Sequence, residues 1–214
     1  MSAGYPPSAP PRIFGGKRYR RCAVAMVFND EGRVLVCERL DRPGSWQMPQ
    51  GGVDEGESDE AAATRELHEE IGLRPGLHGL RFVVVLEGDE RCCYDVEGGW
   101  MQRAGYAGQC FSFGLFHLPG GSEDPTPLCD LSGLGGEKPE FGAVRWSSWA
   151  EAVDAVWAPK RPPYERCQEL AAVELGKLAA AAREADGSET AEQSAASSLR
   201  LFVEGTLSEG ASRI

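Results

Sequence analysis

Apolar positions along this chain are spaced in two ways, which predict a protein with both strands and helices. Two short apolar runs, residues 22–28 and 33–38, flank the turn-forming residues 29–32, and this arrangement predicts a β-hairpin. A β-branched run predicts a further strand at residues 80–87, which we expect to pair with residues 91–96. Other strands are predicted at residues 46–48 and 109–118 and before Trp146, and helices at residues 58–71, 149–157 and 165–182.

The stretch of residues 51–73 joins a glycine-rich turn to the most clearly defined of these helices. Glycines at positions 51, 52 and 56 allow the backbone to bend and to approach a ligand closely. Residues 58–71 hold no glycine or proline and are rich in Ala, Glu and Leu. Ser58 can cap the first turn of the helix and Gly72 can end it, so both boundaries are predicted.

Three glutamates of this helix, Glu66, Glu69 and Glu70, share one face because they stand at positions i, i+3 and i+4. An acidic helix face is commonly just a solvated surface. The alternative is a site for a hard cation such as Mg²⁺, which takes oxygen ligands and relieves the repulsion. The preceding turn favours the cation site, because a backbone carbonyl there could complete the coordination. Arg65 can pair with Glu69 or reach back to Glu57, and so hold the carboxylates in place.

The same stretch resembles the Nudix box. Its glycine at 51, glutamate at 57, run of residues 65–70 and Gly72-Leu73 pair occupy every defining position of that motif. The resemblance implies a Nudix fold of the α+β class, an α/β/α sandwich with a mixed β-sheet between helices. It also implies metal-dependent hydrolysis of a nucleoside diphosphate linked to another group. The implied cofactor is Mg²⁺, with Mn²⁺ as an alternative, held by Glu66, Glu69, Glu70 and a carbonyl of Gly51 or Gly52.

Three further segments narrow the resemblance to one part of the family. Residues 46–52, Trp-Gln-Met-Pro-Gln-Gly-Gly, are similar to the lead-in to the box in two groups. These are the plant-type asymmetrical diadenosine tetraphosphate hydrolases and the bacterial RNA 5′-pyrophosphohydrolases. Residues 137–142 and 160–164 resemble the plant-type group more closely. Two positions depart from the pattern, since Gln109 and Cys110 stand where relatives usually carry a Lys and then a Trp.

The resemblance also implies roles for individual residues around the box. Glu70 and Glu140 are the candidates for the general base that accepts a proton from the attacking water. Arg65 and Glu57 complete the expected catalytic set. The expected substrate-binding residues are cationic, polar or aromatic: Arg20, Arg42, Trp46, Gln50, Lys160 and Tyr164. For the two aromatic residues among them, packing in the core is the alternative to stacking on a base.

The leading hypothesis from this resemblance is hydrolysis of diadenosine tetraphosphate to ATP and AMP, by attack of water on a phosphoanhydride. The alternative enzyme is an RNA 5′-pyrophosphohydrolase, which releases pyrophosphate from 5′-triphosphorylated RNA. A hypothesis from a different class is a Nudix-like binding module without activity. The loss of a box glutamate would indicate such a module, and this chain retains them all.

Charge and composition limit the partners. The formal net charge of −11 over 214 residues argues against a general binder of DNA, RNA or membranes. It does not exclude a polyphosphate, because a bound cation and a few basic side chains can invert the potential locally. No apolar run approaches the length of about 20 residues that spans a membrane. We therefore expect the partner to be a small dinucleoside polyphosphate or the 5′ end of an RNA.

Composition also divides the chain into three parts. Residues 1–18 are basic and predicted to be disordered, residues 19–183 form the Nudix domain, and residues 184–214 form a flexible tail. A loop over residues 119–136 is either a functional lid or a simple insertion. The seven cysteines show no C-x-x-C pair and no zinc spacing, which predicts free thiols in a reducing compartment. We expect a cytoplasmic location, with the chloroplast or another organelle as the alternative.

Overall fold

Nine strands form one mixed sheet in this computed structural model, which describes residues 8–184 and residue 200. The strands are β1 (Arg12–Phe14), β2 (Lys17–Phe28), β3 (Val34–Arg39), β4 (Trp46–Gln47), β5 (Gln50–Gly52), β6 (Arg81–Leu86), β7 (Cys93–Asp95), β8 (Gly108–His117) and β9 (Phe141–Ser147). The α-helices are α1 (Asp59–Ile71), α2 (Gly99–Arg103), α3 (Trp149–Ala155) and α4 (Arg161–Glu184). Short 3-10 helices lie at Leu77–Gly79, Glu90–Cys92, Thr126–Leu128 and Ala158–Lys160.

Strand β2 lies at the centre of the sheet, and its apolar run is buried. It pairs in parallel with β8 along ten residues, from Tyr19 opposite Gly108 to Phe28 opposite His117. It also pairs antiparallel with β5 and, at Phe28, with β3. The order of the main strands is β4-β3-β2-β8-β6, and β9 pairs with β3. Gly51 and Gly52, predicted as part of a turn, lie in strand β5, so the beginning of the glycine turn is held directly against the central strand.

Successive side chains of β2 point into two separate apolar layers. Ala23 and Val27 pack in one layer with Leu67 of α1. Val24 and Met26 pack in the other layer, together with buried residues of α3 and α4. The sheet thus lies between helices, which confirms the predicted α/β/α sandwich. No helix in the described part of the chain is both long and apolar enough to cross a membrane.

Helix α1 begins and ends where the sequence predicts. The hydroxyl of Ser58 accepts a hydrogen bond from the N–H of Ala61 at 3.1 Å, and this caps the first turn. Gly72 ends the helix in a left-handed conformation with φ 76°, and its N–H donates to the carbonyl of His68. The caps fix the first and last turns, and with them the direction in which the acidic face points.

Strands β6 and β7 do not pair with each other, contrary to the prediction. Each pairs antiparallel with a different part of β8, so that Leu86 lies opposite Phe113 and Cys93 lies opposite Cys110. The ten-residue β8 is long enough for both partners, and an apolar pattern does not specify which strand is the neighbour. The facing Cys93 and Cys110 form a disulfide. The prediction of seven free thiols is therefore wrong for this pair, because strand pairing brings together two cysteines whose spacing gave no signal.

The N-terminal segment differs from the disorder that the sequence predicts over residues 1–18. Strand β1 pairs antiparallel with the beginning of β2, with Arg12 opposite Tyr19 and Phe14 opposite Lys17. Residues 1–7 lie outside the described residues. The tail predicted over residues 184–214 also lies outside them, apart from residues 184 and 200.

The long loop between β8 and β9 packs against the end of α1. The N–H of Asp130 donates to the carbonyl of Ile71 at 2.9 Å, and the N–H of Leu134 donates to the carbonyl of Glu69 at 2.8 Å. These bonds satisfy carbonyl groups in the last turns of the helix, which have no partner within the helix. The loop is thereby anchored beside the acidic face, and the residues that follow it are brought to the same place.

Candidate active site

The glycine turn and the acidic face of α1 open into one pocket with a volume of about 460 Å³. Strand β5 and α1 provide two of its walls, and residues that follow the long loop provide another. Ten residues predicted for the site from the sequence line this pocket: Arg20, Gln50, Gly51, Gly52, Arg65, Glu66, Glu69, Glu70, Glu140 and Lys160. The fold thus gathers residues from opposite ends of the domain around the box.

Glu66 and Glu70 are the buried acids of α1, each with 9% of its surface exposed. Glu70 Oε2 accepts a hydrogen bond from the N–H of Gln50 at 2.9 Å, which joins the helix to the turn. The Glu66 carboxylate lies directly against Gly51, where a Cβ atom would overlap it. A side chain at position 51 would therefore displace the carboxylate of Glu66, an acid of the site.

Arg65 binds several acceptors at once and organises the acidic face. Its Nε and Nη2 atoms both contact the Glu57 carboxylate at 3.0 Å, as a bidentate pair. Its Nη1 atom contacts Glu66 at 2.6 Å and Glu69 at 3.1 Å, and Nη2 also donates to the carbonyl of Gly52 at 2.8 Å. One guanidinium thus fixes three carboxylates and the turn, as expected for Arg65, whereas Glu57, predicted as catalytic, is not among the residues that line the pocket.

Both buried acids of the helix have raised pKa values. Burial raises the pKa of Glu66 to about 7, although the positive charge of Arg65 opposes the rise. Burial also raises the pKa of Glu70 well above its ordinary value, and the negative charges of Glu140 and Glu66 add to the effect. A nearby positive charge stabilises the ionised form of carboxylates in such an environment, so the pocket is suited to a cation.

The donor chemistry of the pocket fits Mg²⁺ or Mn²⁺, because carboxylate and carbonyl oxygens are the ligands these ions prefer. Among the described residues, no group of three or more His, Cys, Asp or Glu side chains forms a complete metal cluster. The Nη1 atom of Arg65 holds Glu66 and Glu69 in ion pairs. An ion bound by Glu66, Glu69 and Glu70 would compete with Arg65 for these carboxylates.

Lys160 reaches the pocket from the end of the 3-10 helix that precedes α4 and is almost fully buried, with 7% of its surface exposed. Its Nζ atom donates to Gln47 Oε1 at 2.8 Å and to Gln50 Oε1 at 3.0 Å. Burial lowers its pKa to about 8, and the positive charge of Arg39 adds to the effect. Two amide oxygens therefore hold a cation at the edge of the glycine turn, where a phosphate oxygen could contact it.

Glu140 stands across the pocket from α1 and is more accessible to water than the helix glutamates. Its side chain is 45% exposed, and its Oε2 atom accepts from Arg39 Nη1 at 2.8 Å. Arg39 is also tied to Asp41, which holds the guanidinium in place. An accessible carboxylate beside a buried acidic face could accept a proton from a water molecule.

Three of the expected substrate-binding residues are not among those that line the pocket. Tyr164 is fully buried, and its hydroxyl accepts from the N–H of Met48 at 3.0 Å, so its ring packs in the core and offers no face to a base. The Trp46 ring is partly buried and packs against the apolar layer that contains Met48, and the guanidinium of Arg145 lies 4.2 Å from the ring centre. Arg42 lies over the Trp157 ring at 4.8 Å. For both aromatic residues, the structure agrees with the packing alternative.

Four residues that line the pocket were not predicted from the sequence: Arg39, Asp54, Trp100 and Met101. Two of them belong to α2, which is only five residues long and too short to show a helical period. A tryptophan directly after Gly98 and Gly99 is the signal that could have indicated an exposed aromatic residue. Gln109, which departs from the family pattern, also lines the pocket, and its Oε1 atom accepts from the Tyr94 hydroxyl.

The sandwich, the glycine turn and the capped helix with its arginine-bound glutamates together define the class of Nudix hydrolases. The chain belongs to the Nudix family, because the family model described as a NUDIX domain matches residues 18–167. This membership confirms the resemblance that the box indicated. Nudix hydrolases generally use a divalent metal such as Mg²⁺.

Two relatives agree with this membership, and one solved structure shares the fold. The RNA pyrophosphohydrolase of Rhodospirillum rubrum is 36% identical over 160 residues, which cover 73% of this chain and 89% of that protein. Nudix hydrolase 26, chloroplastic, of Arabidopsis thaliana is 32% identical over 153 residues, which cover 69% of this chain and 66% of that protein. The crystal structure of the M. smegmatis Nudix hydrolase RenU is 19% identical with a TM-score of 0.50, and the match covers 80% of this chain and 96% of that one.

Proposed function

We propose that this protein is an RNA 5′-pyrophosphohydrolase, which removes pyrophosphate from 5′-triphosphorylated RNA. The observation that carries the proposal is the 36% identity, over 89% of its length, to a bacterial relative named for that activity. The intact pocket supports it, because each box glutamate expected to hold the metal lines the cavity. The sequence alone favoured diadenosine tetraphosphate, so the relatives reverse the order of our two hypotheses.

Cleavage of a phosphoanhydride requires neutralisation of the phosphate charge and an oriented water molecule. When bound, Mg²⁺ supplies charge neutralisation and lowers the pKa of water. Glu66, Glu69 and Glu70 would hold the ion, together with a carbonyl of Gly51 or Gly52. The protein surrounds the place of reaction with oxygen donors that are already fixed by the turn and by Arg65.

The remaining side chains divide into a proton acceptor and phosphate contacts. Glu140 accepts the proton of the attacking water, because its carboxylate is open to solvent and lies close enough to Glu70 for its charge to raise the pKa of that buried acid. Lys160 and Arg20 bind phosphate oxygens, and Lys160 is already oriented by Gln50. The bond between two phosphates breaks, and the leaving pyrophosphate keeps the bridging oxygen.

Hydrolysis of diadenosine tetraphosphate to ATP and AMP is the second candidate. The net charge of −11 favours a small substrate, since a long polyanion would be repelled beyond the pocket. The resemblance of residues 137–142 to plant-type tetraphosphate hydrolases points in the same direction, and Glu137, Lys138 and Glu140 of that run line the pocket.

The two candidates are separated by turnover of both substrates under the same conditions. Purified protein is incubated with Mg²⁺ and either a short 5′-triphosphorylated RNA or diadenosine tetraphosphate, and the products are resolved by chromatography. We expect pyrophosphate and 5′-monophosphorylated RNA at a higher kcat/KM than ATP and AMP. A higher kcat/KM for the dinucleotide would overturn the first candidate in favour of the second.

A variant and a chelator test the proposed role of the acidic face. Glu70→Gln should lower kcat by about 100-fold or more while the protein still folds, because a neutral amide cannot replace a metal-binding carboxylate. Addition of a chelator should abolish turnover of the wild-type protein. Wild-type rates in the variant would contradict the assignment of Glu70.

A further inference from the structure

One wall of the pocket has no part in the proposed chemistry. Trp100 and Met101 of α2 are the only apolar side chains among the described residues that line the pocket. The rest of the lining consists of charged residues, amides and glycines. Trp100 has 50% of its surface exposed, although it is a large apolar residue. An accessible indole in a charged pocket is a suitable contact for a ligand that carries an aromatic group.

The segment that presents Trp100 is fastened to the central part of the sheet. The N–H of Ala107 donates to the carbonyl of Arg18 in β2 at 2.7 Å. On the other side of α2, the N–H of Val96 donates to the carbonyl of Ala107 at 2.9 Å. The ends of the segment are thus joined to each other and to the strand that carries Arg20, so Trp100 is displayed from a fixed support.

Arg20 connects this apolar wall with the glycine turn. Its guanidinium carbon lies 5.2 Å from the centre of the Trp100 ring, which is a cation–π distance. The guanidinium also lies against Gly52, where a Cβ atom would overlap it. Arg20 Nε is buried and has no hydrogen-bond partner among the described residues. A ligand with a phosphate on Arg20 would therefore place the group attached to that phosphate beside the indole.

We propose that Trp100 is the platform on which the nucleobase next to the polyphosphate stacks, and that it selects substrates that carry such a base. The inference rests on the proposed function, since it assumes that a nucleotide polyphosphate occupies the pocket. Every nucleobase has a π face, so stacking on Trp100 favours a base over no base without choosing among bases. Trp100 is a binding and specificity residue, and the hydrolytic step belongs to the acidic face.

The test compares one RNA with and without its first base. The substrates are a short 5′-triphosphorylated RNA and the same RNA with an abasic ribose at its 5′ end. With the first substrate, Trp100→Ala should raise KM about tenfold at unchanged kcat, because a stacked base is lost. Trp100→Phe should retain most of the wild-type affinity. With the abasic substrate, all three proteins should have the same KM, and an equal loss on both substrates would overturn the proposal.

A binding measurement separates this proposal from the proposed function. Calorimetry compares AMP with ribose 5-phosphate, and the wild-type protein should bind AMP more tightly by a margin that Trp100→Ala removes. If that margin is lost while RNA is not hydrolysed, the platform stands and the pyrophosphohydrolase fails. If RNA is hydrolysed but Trp100→Ala changes neither KM nor the margin, the platform fails and the enzyme stands. No preference for AMP in the wild-type protein would also overturn the platform.

Val173→Ala is a matched control. Val173 is an exposed apolar residue of α4, with 61% of its surface exposed, and it is not among the residues that line the pocket. Its replacement should leave KM for both RNA substrates at the wild-type value. A base-dependent rise in KM for this variant would show that loss of any exposed apolar side chain has the effect, and would overturn the assignment.

Discussion

Arg65 illustrates how one residue can determine the geometry of a whole acidic face. Two nitrogens of its planar guanidinium contact Glu57, and the third nitrogen contacts Glu66 and Glu69. A lysine at this position would keep the charge but could not make parallel contacts, because its ammonium group is a single point donor. The position therefore needs arginine for its shape as well as for its charge.

Arg65→Lys should be costly for both stability and activity. We expect the free energy of unfolding to fall by about 2 kcal/mol, since partly buried carboxylates lose hydrogen bonds. We expect kcat to fall at least about tenfold, because the glutamates are no longer held in place. Urea unfolding and steady-state kinetics measure the two effects. Arg91→Lys is the control, because Arg91 forms an exposed ion pair with Glu169, and it should change neither quantity appreciably. Equal losses in both variants would contradict the role of Arg65.

Glu66 gives the metal-free protein a defined dependence on pH. Its pKa in the folded state is about 7, above the ordinary value of 4.5, so the folded protein binds this proton more tightly than the unfolded chain. The resulting stabilisation is fully present below about pH 4.5 and is lost as the pH rises through about 7. With chelator present, the free energy of unfolding should fall by about 2 kcal/mol between pH 5 and pH 8 from this residue alone.

Two comparisons make the pH prediction specific to Glu66. Glu66→Gln should remove this part of the pH dependence, and Mg²⁺ at pH 8 should stabilise the wild-type protein by binding to the folded state. Urea unfolding at each pH gives the required free energies. An unchanged pH dependence in the variant would show that the proton is bound elsewhere.

At the scale of elements, the long loop and α1 act together. The loop is bonded to the carbonyls of Glu69 and Ile71, and it leads to Lys138 and Glu140 in the pocket. Within the loop, Gly133 and Gly136 both have positive φ, of 78° and 89°. Only Gly133 is closely surrounded, since a Cβ atom there would come within 2.8 Å of the backbone of Lys138.

These two glycines provide a matched pair of variants. Gly133→Ala and Gly136→Ala should have similar unfavourable effects on the backbone, because both add a side chain at positive φ. Gly133→Ala should in addition displace Lys138 and raise KM about tenfold, whereas Gly136→Ala should leave KM near the wild-type value. Thermal unfolding and steady-state kinetics of the two variants test this. The same KM in both would mean that the loop does not position the pocket.

The sequence predicted those elements whose signals are local. Helix α1 was predictable to its caps, because Ser58 and Gly72 act on neighbouring residues. The acidic face followed from helical spacing, and the box fixed its relation to the turn. The Cys93–Cys110 contact was not predictable, because it depends on which strand lies beside β8.

The role of α2 escaped prediction for a similar reason. A five-residue helix has no period to detect, and only the packing of its flanks onto β2 brings Trp100 to the pocket. Tyr164 shows the opposite case, since its position in a family motif suggested a ligand contact and its burial shows a core residue. Motifs identify which segments matter, whereas burial decides what each side chain can touch.

For the molecule as a whole, the distribution of charge matters more than its sum. The net charge is −11, yet Arg20, Arg39, Lys138 and Lys160 all line one pocket. The protein should therefore hold a substrate by its phosphorylated end. The rest of a polynucleotide should add little to the binding affinity, because the surface outside the pocket is acidic overall.

This distribution predicts that KM changes little with the length of the RNA. We expect KM for 5′-triphosphorylated RNAs of two and twenty nucleotides to agree within about threefold, because few phosphates are contacted. Steady-state kinetics at constant ionic strength and free Mg²⁺ provide the measurement. A fall in KM of more than about tenfold for the longer RNA would reveal a binding track outside the pocket.

The parallel pairing of β2 with β8 has a consequence for the order in which the protein can mature during translation. Residue 19 can pair with residue 108 only after residue 108 has left the ribosome, so the centre of the sheet forms late. Helix α1 is synthesised long before that moment, but its Ala63 packs against Gly114 of β8. The nascent chain can therefore form the helix of the box early, while the acidic pocket assembles only after most of the domain has emerged. A partly synthesised chain should accordingly contain the helix of the box but lack the assembled pocket. Hydrolytic activity should therefore begin only late in synthesis.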